Sequence, residues 1–175
     1  MIENNWITLV KPNKVDYKIS DNKKFGTVVI EPLEKGFGTT LGNALRRVLL
    51  SSLQGTAISS IKINGVLHEF STIEGVREDV TDIIMNLKNV TFNSKSNHSQ
   101  KLSLNVKGPK EVLSSDFEEN PDVEIIDKEA VIMNVDSNRE VNLEIFLDVN
   151  KGYISAEKNK DNENKSVGQI MLDAT

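Results

Sequence analysis

The chain has 175 residues, 38% hydrophobic and 27% charged, with a formal net charge of −5 and a pI near 5.2. That is enough for one ordinary domain, or two small ones, with a real core, and the acidic balance excludes nucleic-acid binding driven by bulk charge. The absence of cysteine removes disulfides, cysteine-ligated zinc, iron–sulfur clusters and cysteine nucleophiles together.

The opening residues, MIENNWITLVKPNKV, hold no apolar run of signal-peptide length, and no later stretch approaches the roughly 18 apolar residues of a membrane span. A cytoplasmic location is expected, and the sequons at Asn89, Asn97 and Asn164 carry no weight. KVDYKIS (14–20) and TVVIEPL (27–33) alternate apolar and polar residues around a turn-like DNKK and predict a strand pair. A helix is expected over 39–53, entered from Gly36 and Gly38 and capped by Thr39 or Thr40. ISSIKI (58–63), Asn64-Gly65 and VLHEF (66–70) then read as a β-hairpin, because Asn-Gly suits a type I′ turn. A second helix is expected from Arg77 to Lys88, with acids early, Lys88 last, and Val76, Val80, Ile83, Ile84 and Leu87 at helical spacing.

From Val90 to about Ser155 the chain is a series of short β runs: VTFN, KLSLNV, VEII, AVIMNV and REVNLEIFLDV. Between Asp116 and Glu129 seven acids face Lys128 alone, which predicts a solvated edge. KNKDNENKS (158–166) reads as a polar loop without core residues. The pattern as a whole is α+β. Residues 1–53 form a strand–strand–helix unit, and 54–172 form a β-rich unit with one main helix.

Three glycines in seven positions (Gly36, Gly38, Gly42) raise the question of a phosphate cradle. A P-loop needs Lys after its last glycine, but Asn43 follows Gly42 and the helix carries no lysine. The dinucleotide fingerprint fails because its third glycine comes one residue late. A small enzyme binding a phosphorylated ligand at the Gly36–Gly42 turn remains the alternative, and a free-standing β-rich interaction module a third. The glycines are better explained by a sharp entry into the helix and by close packing at Gly42, where glycine costs about 1 kcal/mol relative to alanine.

At about 100° per residue, Leu41, Ala44, Leu45, Val48 and Leu49 form one apolar stripe, wide enough for a buried face. Opposite it lie Asn43, Arg46, Arg47 and Leu50. Only Arg46, Arg47, Arg77 and Arg139 are arginine among 21 basic residues. Pairing two of them beside an outward leucine suggests a protein–protein anchor. Two strands and one such helix make a poor core alone, so residues 1–53 need another layer from later sequence or another chain.

Other chemistry is thin. His68-Glu69 lacks the second histidine of H-E-x-x-H, and His98 sits in a polar stretch, so no metal site, catalytic residue or cofactor is expected. The nine aromatics are too scattered to stack single strands.

The run LEKGFGTTLGNALRRVLLSSLQGTAI, continued by INGVLHEFSTIEGVREDVTDIIMNLKNV, is similar to the amino-terminal domain of the bacterial RNA polymerase alpha subunit. The likeness extends over essentially the whole chain, specific in 31–90 and loose in 91–165. It implies a non-catalytic scaffold: a dimerisation domain interrupted by a β-rich insert, which pairs with a second alpha subunit and nucleates assembly of the beta and beta-prime subunits. It places Phe37, Leu41, Gly42, Leu45, Val48 and Leu49 on a dimerisation helix, and Arg46, Arg47, Leu50, Asp82 and Lys88 in large-subunit contact. Chains of this family return to the dimerisation domain after the position of Asp173, then reach a DNA-binding domain. Residues 173–175 are therefore expected to begin that return. The chain is expected to be a fragment or shortened form, with weakened or lost dimerisation and no direct DNA binding.

Overall fold

A computed structural model describes residues 7–21, 25–136, 138–160 and 168–174. The chain divides into two compact units, residues 1–50 and 51–175.

In the first unit, β1 (Lys14–Ile19) pairs antiparallel with β2 (Gly26–Glu31), from Lys14 opposite Glu31 to Ile19 opposite Gly26. This register puts Val15, Tyr17 and Ile19 on one face with Val28 and Ile30, as strand alternation requires. Residues 22–24 of the expected DNKK turn lie outside the described residues. Helix α1 runs Phe37–Ser51. It starts two residues earlier than the spacing suggests, since Phe37 N–H already donates to the Glu34 carbonyl (3.0 Å) and Thr40 N–H to that of Gly36 (3.4 Å). Thr39 and Thr40 therefore lie inside the first turn and are not its caps, and Leu53 falls beyond the helix. No described residue of this unit is buried.

The second unit contains β3 (Gln54–Ile63), α2 (Val80–Lys88), β4 (Phe92–Ser94), β5 (Gln100–Lys107), β6 (Lys110–Leu113), β7 (Val123–Ile125), β8 (Val131–Val135), β9 (Glu140–Lys151), the short α3 (Ala156–Lys160) and β10 (Ile170–Met171). Its main sheet runs β5-β9-β3-β4-β7, with β10 also on β3. Strict alternation in EVNLEIFL sends Val141, Leu143, Ile145 and Leu147 to one face. There Val106, Leu104 and Leu102 meet the first three in register across β5. Beneath lie the β6–β8 ribbon and α2, whose Val80, Ile83, Ile84 and Leu87 are buried in the same core. Strands and helices are thus mixed, with a β-rich insert: the fold is α+β.

The expected 58–70 hairpin does not form. Asn64-Gly65 does turn the chain, with Gly65 at φ +82° and Val66 N–H on the Ile63 carbonyl (3.2 Å), but residues 66–70 form no strand. β3 takes a distant partner instead, pairing from Gln54 to Ile63 with β9. A long alternating strand offers more cross-strand contact than the local VLHEF segment. The second helix begins at Val80, not Arg77. Asp79 caps it, accepting from Asp82 N–H (2.7 Å), while Val76 bridges to Val135.

The acidic stretch is only partly a solvated edge, since Phe117 and Val123 are buried and it supplies β7. Of the expected loop 158–166, residues 158–160 belong to α3, where Asn159 is buried and donates to the Leu172 carbonyl (2.9 Å), and 161–166 lie outside the described residues. Residues 170–174 pack in the second unit. Ile170 pairs with Ile61, and Ala174 exchanges two backbone hydrogen bonds with Ile154 (both 2.9 Å).

Candidate docking site

The side chains of α1 sort by angle. Phe37, Leu41, Ala44, Leu45, Val48 and Leu49 share one stripe, with Gly38 and Gly42 one turn apart along its rim. The large apolar members of this stripe are between 37% (Leu41) and 60% (Leu49) exposed. A Cβ built on Gly42 would meet nothing within 4 Å, so the close packing expected there comes from no described residue of this chain. The opposite side carries Arg46, Arg47 and Leu50, all exposed, with Leu50 at 65%.

Turn geometry bears on the phosphate question too. Gly36 (φ +88°) makes the sharp entry into α1. The first-turn N–H of Phe37 is already bonded to the Glu34 carbonyl, and the Glu34 carboxylate, which accepts from Val10 N–H (3.2 Å), sits just ahead of the helix. That first-turn N–H is therefore not free to bind a phosphate.

Asp82 and Lys88 both lie on α2 and both are exposed. They are about 9 Å apart along the axis and roughly 120° apart around it, so they face different directions. The five expected contact residues thus divide between the two units, three on α1 and two on α2.

α2 is firmly seated. Glu78, just before it, accepts from Asn134 N–H (2.6 Å) and Asn134 Nδ2 (2.8 Å) on β8, and Asn86 Nδ2 donates to the Ile132 carbonyl (2.9 Å). Partial burial pushes the Glu78 carboxyl up, but the two Asn134 hydrogen bonds, together with its own backbone N–H and the charge of Arg77, outweigh it and hold the group below its ordinary value.

Two residues that spacing did not single out are Leu67 and Phe70, 78% and 81% exposed. Their segment is braced: Ser71 Oγ donates to the His68 carbonyl (2.6 Å), and Thr81 Oγ1 on α2 donates to the Glu69 carbonyl (3.0 Å). Reading VLHEF as a hairpin strand gave no signal that both side chains stand in solvent, because strand alternation would send Leu67 and Phe70 to opposite faces. His68 Nδ1 lies 3.1 Å from Ser71 Oγ, a structural contact. Among the described residues no group of three His, Asp or Glu is placed to hold a metal ion, and no helix is long and apolar enough to cross a membrane.

The chain is thus α+β with a β-rich insert, and it carries exposed apolar and arginine side chains on α1 and an exposed Leu67 and Phe70 on a braced segment. Residues 61–175 match the family model of the RNA polymerase Rpb3/RpoA insert domain, and the chain belongs to that family. The likeness to the amino-terminal region of the bacterial RNA polymerase alpha subunit stands with it. A domain of this type is a component of an RNA polymerase complex, in a subunit whose part is accessory.

Proposed function

We propose that this chain is a non-catalytic assembly scaffold of a cytoplasmic bacterial RNA polymerase. Its α1 stripe (Phe37, Leu41, Leu45, Val48, Leu49, with Gly42 at the rim) seats against a second alpha subunit. Its Arg46–Arg47–Leu50 face, with Asp82 and Lys88 on α2, engages the beta and beta-prime subunits. The observation that carries this reading is the exposure of the whole apolar stripe in a unit without a single buried described residue. These leucines are already about half covered, so burying what remains is worth roughly half of the 1.5–3 kcal/mol of a full burial, about 1 kcal/mol each, which favours a partner when summed over the stripe. Leu67 and Phe70 extend the contact surface on the second unit, since bracing lowers the entropy cost of using them as anchors.

The test is co-purification with beta and beta-prime alongside light-scattering mass. The wild-type chain is expected to capture the large subunits. Arg47→Ala, Leu50→Ala and Phe70→Ser should each weaken capture about tenfold or more, as loss of an anchor does, and Leu45→Asp should reduce self-association. Undiminished capture by all of these variants would overturn the assignment.

A further inference from the structure

Loop 118–120 touches both ends of the main sheet, and it covers them unequally: it bridges to β7 only at Asn120–Val123. At β5 the outer edge is covered: Glu118 N–H donates to the Ser103 carbonyl (2.9 Å) and Asn120 Nδ2 to that of Lys101 (3.4 Å). At β7 the outer edge pairs with no strand among the described residues. β7 meets β4 with Glu124 opposite Asn93, flanked by bonds from Lys95 N–H to the Asp122 carbonyl (2.9 Å) and from Ile126 N–H to the Thr91 carbonyl (3.0 Å). Antiparallel alternation then turns the backbone groups of Val123 and Ile125 away from β4. Val123 N–H is used by the Asn120 carbonyl (3.2 Å), which leaves Ile125 as the outward donor.

A trough of about 790 Å³ runs along this edge. Val123 and Ile125 project to one side of the strand and Glu124 to the other, so a cavity lined by all three follows the strand's edge. Leu102 and Phe117 complete its apolar floor. Glu118, Glu119 and Glu124 outnumber Lys95 and Lys128 among its charged walls, within a stretch of seven acids. The walls are fixed beforehand. Asp116 accepts from Leu113 N–H (2.9 Å) and Lys110 Nζ (2.6 Å), and Asp122 N–H donates to Asn120 Oδ1 (2.9 Å).

We propose that this trough binds an extended, cationic protein segment in which lysine or arginine alternates with apolar residues, added as a strand beside β7. Main-chain bonds to Ile125 supply the register. Alternate apolar side chains reach Phe117, Val123 and Ile125, while the basic ones meet Glu118, Glu119 and Glu124. A three-residue edge limits the contact to a short, weakly and reversibly held segment.

The experiment titrates the isotope-labelled 175-residue chain with a blocked seven-residue peptide of alternating Lys and Val, followed by amide NMR. A peptide of alternating Glu and Val is the control. Saturable shifts at 117–126 are expected with the Lys–Val peptide alone, weakening as salt is raised. The charge reversal Glu118→Lys with Glu119→Lys should weaken binding about tenfold or more, and Ile125→Pro, which removes the outward N–H, should abolish it. Should Ile125→Pro fail to fold, the charge reversal decides alone, because both its positions are exposed. No shifts at 117–126, equal binding of both peptides, or indifference to charge reversal would overturn the proposal.

Discussion

Asp79 and Glu78 are adjacent carboxylates with separate tasks. Asp79 satisfies an orphan N–H at the start of α2, and such caps contribute about 1 kcal/mol. Asp79→Ala is therefore expected to lower the urea-unfolding free energy by about that amount, with Asp79→Ser nearly neutral. Glu78 clamps the helix entry to Asn134 on β8. Its carboxyl is held below the ordinary glutamate range, burial opposing and the Asn134 bonds, its own N–H and Arg77 prevailing together. Asp116 is held below the usual aspartate range in the same way, its partial burial outweighed by Lys110 and the Leu113 N–H. A carboxyl with a depressed folded-state pKa stabilises fully above its unfolded value and loses that contribution as pH falls through the folded one. Stability is thus expected to be flat near neutrality and to decline progressively below about pH 5, as glutamate and then aspartate protonate in the unfolded chain. Glu78→Gln should flatten that decline, read as the difference in urea midpoint between pH 7 and pH 4.

At the level of elements, α2 and α1 have similar amphipathic character and opposite fates. α2 buries four apolar side chains against β3 and β8; α1 buries none. Leu87 is fully buried, so Leu87→Ala is expected to cost about 2–5 kcal/mol in chemical unfolding. Leu49→Ala on α1 should cost almost nothing in the isolated chain and declare itself only when a partner is present. The same contrast explains the lost hairpin. A turn signal at Asn64-Gly65 is local, whereas strand pairing is won by whichever segment completes the sheet, and REVNLEIFLDV lies some 80 residues away.

On the scale of the whole molecule, core formation among the described residues is confined to the second unit, where every buried residue of the hydrophobic cluster lies. Residues 51–175 excised alone are expected to unfold cooperatively, within about 2 °C of the full chain's midpoint by calorimetry, since a loss of 1 kcal/mol would shift it further. A substantially lower midpoint would show that the first unit stabilises the second.

Periodicity and turn chemistry by themselves determined the strand pair at 14–31, α1 and α2 to within three residues, the five β runs after Val90 and the α+β class, but not the short α3. Each rests on interactions within a few residues, which sequence displays directly. The arginine-flanked face of α1 was legible for the same reason. The partners of β3, the short strands β6 and β10, the exposure of Leu67 and Phe70 and the trough beside β7 were decided only by tertiary structure. Pairing between distant segments, and the sheet edge it leaves over, depend on which long-range contacts bury the most surface, and no local pattern records that competition.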